Sequence, residues 1–245
     1  MFEEDLTKKE KYQLKKDEKN REFEQVKKQK TVKRFLLWGL VIVVIGGSIW
    51  GLSRIAGHSP QTQTAVLLDA ISTNDWVTGN QEAQTTLIEY SDFQCPACGA
   101  YYPLVHKLIQ EQGKNFKFVY RHFPLKQHSN AEPAAYAVEA AGKQGKFWEM
   151  EAMIFEHQND WSASNSADEI FRGYASALGL NLELFDADRE SGEVKDKVKS
   201  DYQSGVRAGV NATPTFFLNG KKIQPRNYEE FADFIKQVQT DGSNS

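Results

Sequence analysis

Only two cysteines occur in the 245 residues, too few for a multi-disulfide scaffold. Concentrated positive charge is also missing from most of the chain. Residues 1–34 carry 12 Lys+Arg against 8 Asp+Glu, and the remainder carries 18 against 25. A nucleic-acid groove needs clustered cations to neutralise phosphates, so the mildly acidic body suits a protein that handles other proteins. No Gly-rich phosphate loop points to a nucleotide cofactor. There is no internal repeat, and no low-complexity tract beyond the basic tail. What is present, 40% hydrophobic and 26% charged residues, is the composition of an ordinary globular chain rather than a disordered or collagen-like one.

One long hydrophobic run stands out. Residues 35–52, FLLWGLVIVVIGGSIWGL, are eighteen residues without a formal charge. At about 1.5 Å per helical residue they reach roughly 27 Å, close to the roughly 30 Å hydrocarbon core of a bilayer. Trp38 and Trp50 near the two ends match the interfacial preference of indoles. The run exceeds a typical signal-peptide core, and no small-residue cleavage pattern follows it, so an uncleaved single-pass anchor is expected. Lys27, Lys28, Lys30, Lys33 and Arg34 precede it and only Arg54 follows closely. This bias places 1–34 in the cytoplasm as a basic tail and the body outside the cell membrane. Residues 53–70, polar and containing Gly57 and Pro60, read as a linker.

The body, 71–240, begins with a short β-branched strand at 85–90 that runs into SDFQCPAC and then a helix. Tyr101, Leu104, Val105, Leu108 and Ile109 form that helix's apolar stripe, which ends at Gly113. A second strand at 116–120 makes this a strand, crossover helix, strand unit, which implies a parallel pair. From about 128 to 208 the pattern is alanine-rich and amphipathic, with four or so helices and no strand. TFFL at 215–218 restores β character, and Asn219-Gly220 signals a two-residue hairpin. A last helix carries Tyr228, Phe231, Phe234, Ile235 and Val238 on one face. The expected fold is α/β, one sheet interrupted by a helical insertion and preceded by a transmembrane helix.

Cys95-Pro96-Ala97-Cys98 lies between a strand and a helix, the context in which a CxxC reads as redox-active. One helical turn brings residues i and i+3 onto one face within disulfide reach. Cys95, at the helix start, meets unpaired backbone N–H groups and the positive end of the helix dipole, which favour a thiolate. Cys98, one turn in, is the resolving thiol. Two alternatives stand beside this reading. Zinc would need further ligands, and His58, His106, His122, His128 and His157 show neither an HxxxH spacing nor a second CxxC, so no metal is expected. A purely structural disulfide would close so short a loop that it would constrain the unfolded chain little.

The segments YSDFQCPACGAYYP, RHFPL, GKFWEMEAMIF and GVNATPTFFLNG occur in this order over roughly 75–240. Together they resemble the DsbA-like thiol-disulfide oxidoreductases of bacterial envelopes. The resemblance implies a thioredoxin-like sheet with a helical domain inserted before the strand that carries a cis-proline. By that likeness Cys95 is the nucleophile, Cys98 resolves, and Pro214 is the cis-proline beside the redox pair. Thr213 offers its backbone to a substrate strand, and Pro96 and Ala97 face the substrate. Glu89, six residues before Cys95, takes the place of a buried acid that relays protons to the inner thiol; the alternative is a solvent-facing residue at an edge. Phe93 and Pro96 shape the loop, His122, Phe123 and Pro124 match a family motif of structural character, and Trp148 and Met150 read as core of the insertion.

The function so implied is a membrane-tethered enzyme that donates its disulfide to reduced, unfolded or folding proteins through a mixed disulfide, without a cofactor. A quinone-linked membrane oxidase of the DsbB or VKOR type would re-oxidise it. A reductase or isomerase of the same fold, and a tethered chaperone-like module with a structural disulfide, are the alternatives.

Overall fold

The computed structural model describes residues 68–242; the expected tail, membrane span at 35–52 and most of the linker lie outside them. Among the described residues no helix is long and apolar enough to cross a membrane.

Five strands form one mixed sheet in the order β1-β3-β2-β4-β5. They are β1 (Trp76–Gly79), β2 (Thr86–Ser91), β3 (Lys117–His122), β4 (Thr215–Leu218) and β5 (Lys221–Ile223). β2 and β3 run parallel, joined through helix α1 (Pro96–Gln112), while the other pairings are antiparallel. Period-2 alternation assigns the two faces. Leu87, Phe118, Tyr120, Phe216 and Leu218 join one core with Cys98, Val105 and Leu108 of α1. Ile88, Tyr90, Val119 and Phe217 join a second core. The Asn219-Gly220 turn has φ of 46° and 79°, the doubly positive pair a tight hairpin turn requires.

β1 is the strand the sequence pattern does not announce. WVTG is short and only partly buried, and it exists because it pairs in antiparallel register with β3, Trp76 opposite Tyr120. Its approach is locked by Arg121, whose guanidinium donates to both carboxylate oxygens of Asp75 (2.9 and 3.0 Å) and to the Tyr90 hydroxyl (3.0 Å). Both members of that ion pair are buried, so neither can be removed cheaply.

Between β3 and β4 lie six helices among the described residues, more than the four or so expected. They are α2 (Ala131–Lys143), α3 (Phe147–Glu156), the short α4 (Gln158–Trp161), α5 (Ala167–Ala177), α6 (Leu182–Glu190) and α7 (Gly192–Arg207). The count rises because local caps divide the chain. Asn181 accepts from the Leu184 N–H to start α6, and Ser191 accepts from the Val194 N–H to start α7, each satisfying a donor that a helix start leaves open. α2 packs against α3, α5, α6 and α7, and its buried Ala134, Ala135, Ala137, Ala140 and Ala141 let four helices approach one axis. Met150 is fully buried. Trp148, read as core, is half-buried and lines a cavity instead.

α7 returns over the second face of the sheet, where Gly205 permits the approach. A Cβ there would stand 2.6 Å from the Phe123 ring and 3.0 Å from Tyr90. The last helix, α8 (Tyr228–Gly242), packs beside α1 and buries Phe231 and Ile235 fully, worth roughly 1.5–3 kcal/mol each.

Candidate active site

The site is built where β2 ends and α1 begins. Cys95 is the N-cap residue of α1 in extended conformation, and Pro96 follows at the first helical position, where its missing N–H costs nothing. Pro96 and Ala97 are exposed, Cys95 is 8% exposed, and Cys98 is fully buried. Both cysteines are free thiols. The Thr213-Pro214 peptide bond is cis and brings the Thr213 carbonyl 3.5 Å from Cys95 Sγ. Thus Cys95, Cys98, Thr213 and Pro214, distant in sequence, converge at one place.

The two thiols have opposite electrostatics. Cys95 is held down to about 5, above all by the hydrogen bond from the Cys98 thiol. Thr213 and the N–H groups of Cys98 and Ala97 add to this, and burial opposes it without prevailing. These donors stabilise the anion at a helix N-terminus. Cys98 is pushed well above the usual thiol range, by burial first and then by the negative charges of Cys95 and Glu89. Its sulfur accepts from the Asp92 N–H at 3.4 Å.

Glu89 lies on β2 between Tyr120 of β3 and Phe216 of β4 and is 5% exposed. It is therefore an interior acid of the central strand and not an edge residue. Burial raises its carboxyl to about 7, with the Ser91 hydroxyl working in the opposite direction.

Several residues that the motifs did not single out hold the loop that carries Cys95. The buried Asp92 carboxylate accepts from the Gln94 N–H (2.7 Å) and the Leu125 N–H (2.8 Å) and pairs with His128 Nδ1 (2.7 Å). Gln158, from the insertion, donates to the carbonyls of Phe93 (2.6 Å) and Cys95 (3.0 Å). Its carboxamide fills the space a side chain at Gly99 would need, 2.6 Å from a Cβ built there. Gln94 reaches the Ser162 carbonyl and the Asn130 N–H, at 2.6 Å each. Phe93 is buried against Tyr120 and Phe155, consistent with a residue that shapes the loop.

Glu151 could have been found from its spacing. Phe147, Met150, Ile154 and Phe155 are the buried positions of α3, and Glu151 falls among them as the one acid on that stripe.

His122 Nε2 is 2.8 Å from Glu139, and its backbone N–H donates to Asp201 at 3.1 Å. These three residues bring ligand-type atoms within 4.8 Å of one another. The Trp76 indole also donates to Glu139 (2.8 Å) and Lys197 to Asp201 (2.6 Å). The cluster thus joins the end of β3 to the insertion through N–H donors.

A thioredoxin-like sheet, a CxxC at a helix start, a facing cis-proline and an inserted helical domain define the class: a thioredoxin-like fold with a helical insertion. The family model described as Thioredoxin matches residues 72–237, and the chain belongs to that family. Among solved structures, a thioredoxin-like oxidoreductase from Silicibacter pomeroyi is 25% identical (TM-score 0.59), covering 69% of this chain and 94% of its own. Alpha-DsbA1 from Wolbachia pipientis is 22% identical (TM-score 0.62), covering 72% and 95%. Oxidised BdbD from Bacillus subtilis is also 22% identical (TM-score 0.62), covering 71% and 97%. Curated relatives carry a different name. The Na⁺/H⁺ antiporter NhaA 1 of Salinispora arenicola is 33% identical over 199 residues, and that of Mycolicibacterium gilvum 38% over 181. These alignments cover 75% and 71% of this chain but only 30% and 28% of the antiporters. The chain thus spans less than a third of those relatives' length.

Proposed function

We propose that the protein is a membrane-tethered thiol-disulfide oxidoreductase, working outside the cytoplasm, that donates a Cys95–Cys98 disulfide to reduced or folding substrate proteins. The observation that carries this reading is the asymmetry of the two thiols, Cys95 lowered to about 5 and Cys98 raised. Stabilising the Cys95 thiolate favours the reduced enzyme and leaves the disulfide unaffected, so the equilibrium favours passing the disulfide on.

In the oxidised enzyme a substrate thiolate attacks Cys95 Sγ, the accessible sulfur, and the Cys95–Cys98 bond breaks. Cys98 leaves and takes a proton, supplied in this reading by the buried Glu89 carboxyl. The substrate remains on Cys95 as a mixed disulfide, its chain lying along the backbone of Thr213 and over Pro96 and Ala97. A second substrate thiolate then attacks the substrate sulfur and expels Cys95 as its stable thiolate. Two electrons have passed to the enzyme, and a quinone-linked membrane oxidase of the DsbB or VKOR type removes them. Anchoring through 35–52 would keep enzyme and oxidase in one plane and raise their effective concentration. The antiporter name of the curated relatives belongs to chains of which this one matches a minor part, and transport is not part of the proposal.

The test is the reduction potential of the Cys95/Cys98 pair, measured on the full chain in detergent against glutathione buffers. A value near about −120 mV, the DsbA range, supports a disulfide donor; one near about −270 mV, the thioredoxin range, replaces it with a reductase. Client binding that survives Cys95→Ser with no thiol exchange in the parent chain would indicate a tethered binding module.

A further inference from the structure

Glu89 shares its surroundings with a second buried acid. A cavity of about 140 Å³ is lined by both Glu89 and Glu151, with Tyr102, His106, Trp148 and Phe155 among its other walls. Glu89 comes from the central strand and Glu151 from the buried side of α3 in the insertion. No lysine or arginine lines the cavity, and His106, stacked on Tyr102, is the only lining side chain able to become a cation. The groups facing Glu89 are Cys98, Tyr102 and His106 of α1, Tyr120 of β3 and Glu151 of α3. Those facing Glu151 are Glu89, Tyr102 and Tyr120, with Glu156 near Tyr102. Both tyrosines stay neutral, pushed above the usual phenol range by burial and by these acids.

Two carboxyls in one cavity without a lysine or arginine cannot both ionise cheaply, since burial penalises the first charge and repulsion adds to the second. Glu89 gives up its proton first, at about 7. Glu151 is held well above the usual carboxylate range, by burial and then by the charge on Glu89. The pair therefore keeps one proton beyond the pH at which Glu89 alone would have lost its own.

We propose that Glu151 is a positioning residue that holds this last proton and returns it to Glu89, so that Glu89 can still protonate the departing Cys98 thiolate in mildly alkaline solution. This rests on the oxidoreductase reading and deepens it. The step balances as follows. The substrate thiolate forms a bond to Cys95 Sγ and the Cys95–Cys98 bond breaks. Glu151 passes the pair's one proton to Glu89, Glu89 passes it to Cys98, and a proton entering through the cavity's opening to solvent restores the pair.

The test is the rate at which reduced glutathione opens the disulfide of the full-length oxidised chain between about pH 6 and 9, divided at each pH by the fraction of glutathione present as thiolate. The parent chain is expected to hold its corrected rate to higher pH than Glu151→Gln does. In Glu151→Gln the single remaining acid ionises near 7, so the rate should match the parent at pH 6 and fall about tenfold behind at pH 8. Glu89→Gln should be slow throughout, and adding Glu151→Gln to it should change nothing further. A Glu151→Gln profile that superimposes on the parent, or is displaced equally at every pH, overturns the proposal. So do additive effects in the double variant. If Glu151→Gln does not fold, the infrared band of protonated carboxylic acid in the parent chain decides. Loss in two steps, the second at higher pH than the first, supports the pair, and loss in one step overturns it. A parent disulfide inert to glutathione would instead refute the oxidoreductase reading itself.

Discussion

Replacing Glu89 by Gln should stabilise the fold, and by an amount that depends on pH. The folded chain holds this carboxyl at about 7 against an ordinary value of 4.5. Below about pH 4.5 the residue is neutral in both folded and unfolded chains and contributes no pH dependence. Between about 4.5 and 7 the unfolded chain releases the proton and the folded chain keeps it, so stability falls as pH rises. Above 7 the full cost is present. At about 1.4 kcal/mol per unit, the gap amounts to about 3 kcal/mol. Glutamine has nearly the same shape and cannot ionise, so at pH 8 the variant should exceed the parent by about 3 kcal/mol, less whatever its amide fails to satisfy. For a domain of this size that is a rise in Tm of roughly 6–12 °C. At pH 4.5 the two should differ little. The assay is urea unfolding of both reduced proteins at pH 4.5 and 8, compared as a difference of differences so that the thiols cancel. A parent-to-variant difference that is the same at both pH values would refute the burial argument, and the gain in stability should accompany slower exchange at Cys98.

Four further outcomes are expected. Alkylation of Cys95 by iodoacetamide should rise with a midpoint near 5. Because the folded thiol lies below its ordinary value of 9.0, the reduced form's extra stability should be full above 9 and disappear as pH falls through about 5, seen by comparing the reduced chain with Cys95→Ser. Gln158→Ala removes the donors to the Phe93 and Cys95 carbonyls, and should cost about 1–2 kcal/mol in urea unfolding while raising the alkylation midpoint of Cys95. Gly205→Ala drives a methyl into the Phe123 and Tyr90 rings and should lower stability by about 1–3 kcal/mol, measured as Tm, with the reduction potential unchanged.

Much of this molecule was legible in local pattern, because the forces involved are local. The strand expected at 85–90 is found at Thr86–Ser91 and that at 116–120 at Lys117–His122, each shifted by a residue or two. The hairpin turn at Asn219-Gly220 followed from the φ values those two residues tolerate. The meeting of the two cysteines was legible in their spacing, since a helical turn alone faces Cys95 and Cys98 together and points N–H groups at the first sulfur.

Other properties belong to the tertiary structure because they depend on what covers a surface. Alternation along β2 says that Glu89 shares a face with Leu87, but only the packing of α1 and the insertion over that face makes it an interior acid with a shifted proton affinity. β1 was invisible because four residues of mixed polarity become a strand only against the edge of β3. Gln158 and Asp92 look like ordinary polar loop residues until folding places them on the carbonyls and N–H groups of the redox loop. Glu151 shows the division most clearly. Its spacing on α3 could have marked it as buried, yet nothing in its neighbourhood of sequence could say that the group across the cavity is Glu89, because that meeting joins a strand to a helix about sixty residues away in the chain.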